Sequence, residues 1–81
     1  MKVYPVPAQV DETVWVEVDL TPEELEGATL EVYDAKGALV KQIPVVSRIT
    51  EVSGFKAQGA YYGKITTGTN EIKSVRFLIV K

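Results

Sequence analysis

The fold of this chain is decided by residues 28–41, which read ATLEVYDAKGALVK. Apolar and polar residues alternate in the first half of this stretch, which is the pattern of a strand with one buried face. Asp34 and Gly37 then take the first and fourth positions of a type I turn. The returning strand runs to about Ile43, and Pro44, which has no amide donor, suits an edge strand. The stretch therefore predicts a β-hairpin.

The same period of two extends through most of the chain. It predicts strands at residues 14–20, 48–52, 61–66 and 72–80. In the first of these, the side chains expected to face the core are Val14, Val16, Val18 and Leu20. The last two strands form a second hairpin across Gly68 and Asn70. At the start of the chain, Pro5 and Pro7 favour extended neighbours and remove two amide donors, which predicts an edge strand or its exit.

One short helical turn interrupts the strands after residue 20. Thr21, Pro22 and Glu24 have the types expected at the N-cap, the first helical position and the capping-box position, and Gly27 suits the C′ position. We expect this turn to connect two strands and to do little else.

These elements add up to about seven short strands in a chain of 81 residues, which is enough for one domain and one core. The sequence has no Cys and no His, so apolar packing has to hold this small fold together. We therefore predict an all-β fold, an immunoglobulin-like β-sandwich of antiparallel strands that spans residues 1–81. A small open barrel is the alternative.

Composition excludes several classes of function. The net charge is -2, with nine basic residues scattered among eleven acidic ones, so nucleic acid is a poor partner. No segment approaches the length of a membrane span, and residues 1–10 contain no apolar run like that of a signal peptide. If the domain acts outside the cell, we expect its export signal to lie on a longer parent protein.

We find no residues arranged for catalysis, metal binding or cofactor binding, and we predict that the domain is not an enzyme. The serines have no histidine to activate them, and the glycines lie among strand signals where a phosphate-binding loop does not form. Exposed aromatic rings can stack on sugars, and Trp15, Tyr33 and Tyr62 are the candidates for such contacts. Glycan binding is therefore kept as an alternative function.

Three blocks of the sequence, taken in order, resemble the C-terminal sorting domains of the bacterial type IX secretion system, type A-like. They are VYPVP at residues 3–7, the hairpin at residues 28–41, and SGFKAQGAYYGKITTG with EIKSVRFLIVK at residues 53–68 and 71–81. Val6 and Ala38 stand where that family usually has asparagine and arginine. The resemblance implies these candidate sorting residues: Tyr4, Pro5, Pro7, Tyr33, Asp34, Gly37, Gly59, Tyr61, Lys73, Arg76 and Lys81.

The resemblance implies a signal that the outer-membrane secretion machinery recognises as cargo passes through the periplasm to the cell surface or is secreted. It also implies removal by a sortase-like surface protease and attachment of the cargo to anionic lipopolysaccharide. We expect the last strand to offer its backbone to the machinery, with Lys73, Arg76 and Lys81 exposed beside it. Gly59 and Tyr61 also fit a tyrosine corner, which is a folding role. A protein-binding module and a structural spacer are further alternatives.

Overall fold

The computed structural model describes residues 1–81 and contains eight strands and one short helix. The strands are β1 Lys2–Tyr4, β2 Ala8–Gln9, β3 Val14–Glu17, β4 Thr29–Asp34, β5 Leu39–Pro44, β6 Ile49–Val52, β7 Gly59–Thr66 and β8 Ile72–Val80, and helix α1 is Pro22–Leu25. One sheet has the order β1-β3-β6, and the other has the order β2-β8-β7-β4-β5. The predicted all-β, immunoglobulin-like sandwich is confirmed.

The hairpin at residues 28–41 forms as predicted, from β4 and β5. The amide of Gly37 donates to the carbonyl oxygen of Asp34 at 3.0 Å, and the Asp34 carboxylate accepts the amides of Lys36 and Ala38 at 2.9 and 3.0 Å. Gly37 has a φ of 87°, which glycine adopts without the cost that a side chain brings. Asp34 thus accepts the hydrogen bonds of three backbone amides within the turn.

Pro44 ends β5, which is an edge strand as predicted. The amide of Val45 donates to the carbonyl oxygen of Ala28 at 3.0 Å, so these two residues form a directly bonded pair. Bonding direction alternates along an antiparallel ladder, so Pro44 and Gln42 turn their backbone nitrogens away from β4. The missing amide of Pro44 therefore costs no hydrogen bond within the sheet.

The core lies between the two sheets and is built from the inward side chains of both. Val14, Val16, Val18 and Leu20 are all buried, as the alternation predicted. Phe55, Tyr61 and Phe77 add an aromatic group in which ring centroids lie 4.9 to 5.9 Å apart. The other buried apolar residues are Ala8, Ala28, Leu30, Val32, Val45, Val52, Ile65 and Ile79.

The first strand differs from the prediction, because the N-terminal segment supplies two strands to two different sheets. β1 pairs with β3, whereas β2 pairs with the end of β8, and this second pair is parallel. The exposed link between them contains Pro5 and Pro7, which have no amide to donate to either sheet and which both follow cis peptide bonds. The strand count is therefore eight rather than about seven.

Helix α1 has the predicted capping box: the hydroxyl of Thr21 accepts the amide of Glu24 at 3.2 Å, and the Glu24 carboxylate accepts the amide of Thr21 at 3.0 Å. That backbone hydrogen bond is the main reason why the pKa of Glu24 lies below its usual value. No helix of the chain has the length and apolar character that crossing a membrane requires.

The expectation that α1 does little besides connecting strands is wrong. The turn between β7 and β8 packs on the helix, and the amide of Gly68 donates to the carbonyl oxygen of Glu24 at 2.7 Å. Because helix carbonyls near a C-terminus lack partners within the helix, this contact satisfies one of them. The helix therefore anchors the second hairpin.

Candidate functional site

The last strand, β8, leaves most of one edge unpaired. Its other edge pairs with β7 along the whole strand. The amide of Thr67 donates to the carbonyl oxygen of Glu71 at 2.8 Å, so the bonded pairs of this ladder involve the odd-numbered residues of β8. Ser74 and Arg76 consequently turn their amides and carbonyls away from β7. No strand of the chain pairs with them there.

The C-terminal end of this edge is covered by β2. Ala8 and Gln9 lie beside Ile79 and Val80, and the amide of Val10 donates to the carbonyl oxygen of Val80 at 2.8 Å. That bond confirms that the backbone amides and carbonyls of the even-numbered residues of β8 point toward this edge. The unpaired part, which we call the open edge, is therefore residues 72–78.

The structure corrects the expectation that Lys73, Arg76 and Lys81 are all solvent-exposed. Lys73 is opposite the buried Ile65, so it lies on the inward face of β8 and is half-buried. It lies close enough to Glu24 to add a smaller contribution, after the Thr21 backbone, to the lowered pKa of that carboxyl group. Arg76 and Lys81 are exposed as expected.

Several candidate sorting residues gather at one end of the five-stranded sheet. Asp34 is opposite Tyr61 in the register of β4 and β7, and Gly59 is opposite Ile79 in the register of β7 and β8. Gly37 lies in the turn that follows Asp34, and Lys81 follows the end of β8. The structure therefore brings Asp34, Gly37, Gly59, Tyr61 and Lys81 to the same end of the sheet. Their roles in sorting stay predictions.

Tyr61 forms the predicted tyrosine corner. Its hydroxyl donates to the carbonyl oxygen of Ala57 at 2.7 Å and ties down the loop that enters β7, while its ring packs on Phe55 and Phe77. This geometry gives Tyr61 a folding role that does not depend on any receptor.

Replacing Tyr61 with Phe keeps the ring and removes only the corner hydrogen bond. We expect the free energy of unfolding to fall by about 1 kcal/mol, which is typical for one buried neutral hydrogen bond. Urea unfolding curves measure the change, and Tyr62→Phe is the control, since Tyr62 is exposed and its hydroxyl makes no hydrogen bond. Equal effects of the two substitutions would contradict the folding role of the corner.

The remaining candidates lie on the outer faces of the two sheets. Tyr33, Tyr62 and Arg76 are successive cross-strand neighbours on the outer face of the five-stranded sheet. Tyr4 ends β1 in the other sheet, where its hydroxyl donates to the carboxylate of Glu17 at 3.2 Å. Partial desolvation, followed by this contact, raises the pKa of Tyr4 above its usual value. Pro5 and Pro7 lie in the exposed link that follows.

Sequence reasoning predicted that the last strand offers its backbone to the machinery, which stays a prediction, and it did not single out Ser74, whose backbone groups lie at the open edge. No property of the serine side chain marks it. What marks Ser74 is its even position in β8, because the odd-numbered residues of this strand form the hydrogen bonds to β7. That assignment requires the hydrogen bond between Thr67 and Glu71, which the sequence alone does not show.

Comparisons with known proteins agree with this architecture. The model of a protein family described as "Secretion system C-terminal sorting domain" matches residues 2–81. Among solved structures, the chain is similar to PorZ, an essential bacterial surface component of the type IX secretion system of Porphyromonas gingivalis. The two share 21% sequence identity with a TM-score of 0.74 over 99% of this chain, which shows a common fold.

The chain spans 11% of the length of that PorZ chain. No curated protein matches the sequence. Because the family model covers nearly every residue, the chain belongs to the family of secretion-system C-terminal sorting domains, the signals by which the type IX system carries proteins through the periplasm to the cell surface or beyond.

Proposed function

We propose that this sorting domain is a non-catalytic recognition module that docks on the outer-membrane secretion machinery through the open edge of β8. The observation that carries the proposal is the row of unpaired backbone groups at Ser74 and Arg76. An extended segment of the machinery that lies beside β8 satisfies these groups by adding a strand to the sheet.

The open edge is the longest continuous edge that the domain offers. The β5 edge contains Pro44, which cannot donate a hydrogen bond to an added strand. The edges of the three-stranded sheet are β1, with three residues, and β6, with four. Since each added residue pair contributes to strand addition, β8 is the edge that best supports it.

Two matched proline substitutions test this proposal. Ser74 and Gln42 lie in the same cross-strand row, which runs from Ser74 through Lys64 and Glu31 to Gln42, at opposite edges of the five-stranded sheet. Both side chains are exposed, and both backbone amides face outward from the sheet. Ser74→Pro removes a donor from the open edge, and Gln42→Pro removes one from the β5 edge at a similar cost to the fold.

The assay fuses residues 1–81 behind a signal-peptide-bearing reporter in a bacterium that has the type IX machinery, with a machinery-deficient strain for comparison. We expect machinery-dependent surface display of the parent domain. Display should fall at least about tenfold with Ser74→Pro and less than about twofold with Gln42→Pro, since about 1.4 kcal/mol of lost binding is a factor of ten.

Thermal unfolding of both purified variants shows whether they remain folded to the same extent. Normal display of a folded Ser74→Pro variant, or equal loss from the two variants, contradicts docking at the open edge. If the reporter fused to the unsubstituted domain stays in the periplasm, sorting by residues 1–81 is contradicted. That result favours a structural spacer or a binding module.

We also propose that a sortase-like surface protease removes the domain after export, as the resemblance implies. The position of β1 supports a cut before the folded unit. Lys2 is already paired with Glu17, so cleavage within β1 has to break the three-stranded sheet, whereas cleavage before Lys2 leaves both sheets intact.

Glycan binding is a second proposal, and neighbouring aromatic rings on the outer face of the three-stranded sheet support it. Trp15 and Tyr33 lie on the outer faces of opposite sheets, so the two rings cannot contact one sugar chain together. Trp15 has Tyr4 as its cross-strand neighbour on β1 and Glu51 as its cross-strand neighbour on β6. Two partly exposed rings beside a carboxylate favour this face for contact with sugars.

A further inference from the structure

The open edge of β8 carries a cation that has no acidic partner. No Asp or Glu occurs in residues 72–81. Arg76 is exposed, makes no ion pair and has Tyr62 as its neighbour on β7. Lys73, on the opposite face of the strand, lies near Glu24 instead. Arg76 is therefore the charged group that an added strand meets on the outer face of the sheet.

The inward face of the open edge has a different character. Val75 and Phe77 point toward the core, Phe77 is buried, and Val75 remains half-buried. Successive residues of an added strand alternate between the two faces. A segment that fits this edge therefore presents apolar side chains inward, beside Val75 and Phe77, and a polar side chain outward, beside Arg76.

The same charge disfavours a second copy of this domain as the added strand. In an antiparallel pairing centred on Val75, Ser74 of each copy faces Arg76 of the other, which brings the two guanidinium groups into the same small patch. Like charges on neighbouring positions of a sheet are destabilising, and charged side chains at an edge are a common protection against such self-association. Charge complementarity instead favours a carboxylate opposite Arg76.

We propose that the segment which docks on the open edge is an extended strand with an Asp or Glu opposite Arg76 and apolar residues on either side of it. β2 already covers Ile79 and Val80, so the pairing extends over residues 72–78. This inference rests on the proposed function and adds the chemistry of the partner, which strand addition alone leaves unspecified.

A short peptide reproduces this pattern without any component of the secretion machinery. The acetylated and amidated pentapeptide Thr-Val-Glu-Val-Thr reads the same in both directions, so it presents its carboxylate to Arg76 in either strand orientation. A control peptide has Lys in place of Glu. Residue-resolved hydrogen exchange of the folded domain, residues 1–81, measures protection of the Ser74 and Arg76 amides at millimolar peptide.

We expect the Glu peptide to slow exchange of these two amides at least about threefold more than the Lys peptide does, with no protection of the Gln42 amide on the β5 edge. In the Arg76→Glu variant, the preference should reverse and the Lys peptide should protect better. Such a reversal depends on charge at this position and does not arise from a general loss of stability.

Equal protection by the two peptides, no protection by either, or an unchanged preference in Arg76→Glu overturns the acidic partner. The two proposals fail in different experiments. If Ser74→Pro stops surface display while the peptides show no charge preference, docking at the open edge stands and the partner chemistry is wrong. If folded Ser74→Pro is displayed normally, docking at this edge is wrong whatever the peptides show.

Discussion

Substituting Gly68 with Ala is expected to lower the free energy of unfolding by about 3 kcal/mol, at the upper end of the range for overpacked sites. A Cβ atom added at Gly68 would lie 1.8 Å from the carbonyl oxygen of Glu26 and 2.8 Å from that of Glu23. Both atoms belong to the backbone, so no side-chain rotation relieves the overlap. The turn has to move away from α1, which also breaks the hydrogen bond from Gly68 to Glu24.

Gly37→Ala is the matched control for this prediction. Gly37 has a φ of 87°, but nothing lies within 4 Å of a Cβ atom built there. Its substitution therefore measures the cost of a left-handed backbone alone, about 1–2 kcal/mol. Thermal unfolding should show a fall in Tm above about 10 °C for Gly68→Ala, since 1 kcal/mol corresponds to about 4–8 °C in a domain of this size. A fall no larger than that of Gly37→Ala contradicts the close approach.

Local patterns predicted the parts of the fold that depend on neighbouring residues. The turn from Asp34 to Gly37 was predictable because its hydrogen bonds lie within five residues of chain. The capping box at Thr21 and Glu24 is local in the same way. The tyrosine corner at Tyr61 was also predictable, since its acceptor, Ala57, lies only four residues away.

Long-range contacts were outside the reach of these patterns. The parallel pair of β2 and β8 joins residues about seventy positions apart and has only two residues on the β2 side, too few for a periodic signal. The packing of Gly68 on α1 was missed because the same glycine also fits an ordinary hairpin turn. Both contacts are needed to define the candidate site, because one ends the open edge and the other holds its beginning.

The face of Lys73 was mispredicted for a related reason. Lysine was predicted to be exposed because charged residues usually are. The alternation of side chains along β8, however, places Lys73 on the same inward face as Val75 and Phe77. A lysine can follow the inward face at the end of a strand because its long stem reaches the solvent past the sheet. Of the two basic residues within the open edge, Arg76 is therefore the one whose side chain lies on the exposed outer face of the sheet.

Ile79→Ala is expected to destabilise the domain by about 2–4 kcal/mol. Ile79 is 2% exposed and lies between Ala8 on β2 and Gly59 on β7, so truncation of its side chain leaves a cavity in the core beneath the β2–β8 pair. A domain of this size has a total stability of about 4–12 kcal/mol. The substitution therefore removes a large share of it and loosens the strand that ends the open edge.

Val80→Ala is the control, because Val80 is the next residue of the same strand but faces outward and is 37% exposed. Its effect should be below about 1 kcal/mol, as for most exposed positions. Urea unfolding measures both, and a loss below about 1 kcal/mol for Ile79→Ala contradicts its structural role. Because Ile79 is part of the core, deletion of the last residues removes folding and recognition together. Loss of export after such a deletion therefore does not identify a docking surface, whereas Ser74→Pro changes the open edge and leaves the core side chains in place.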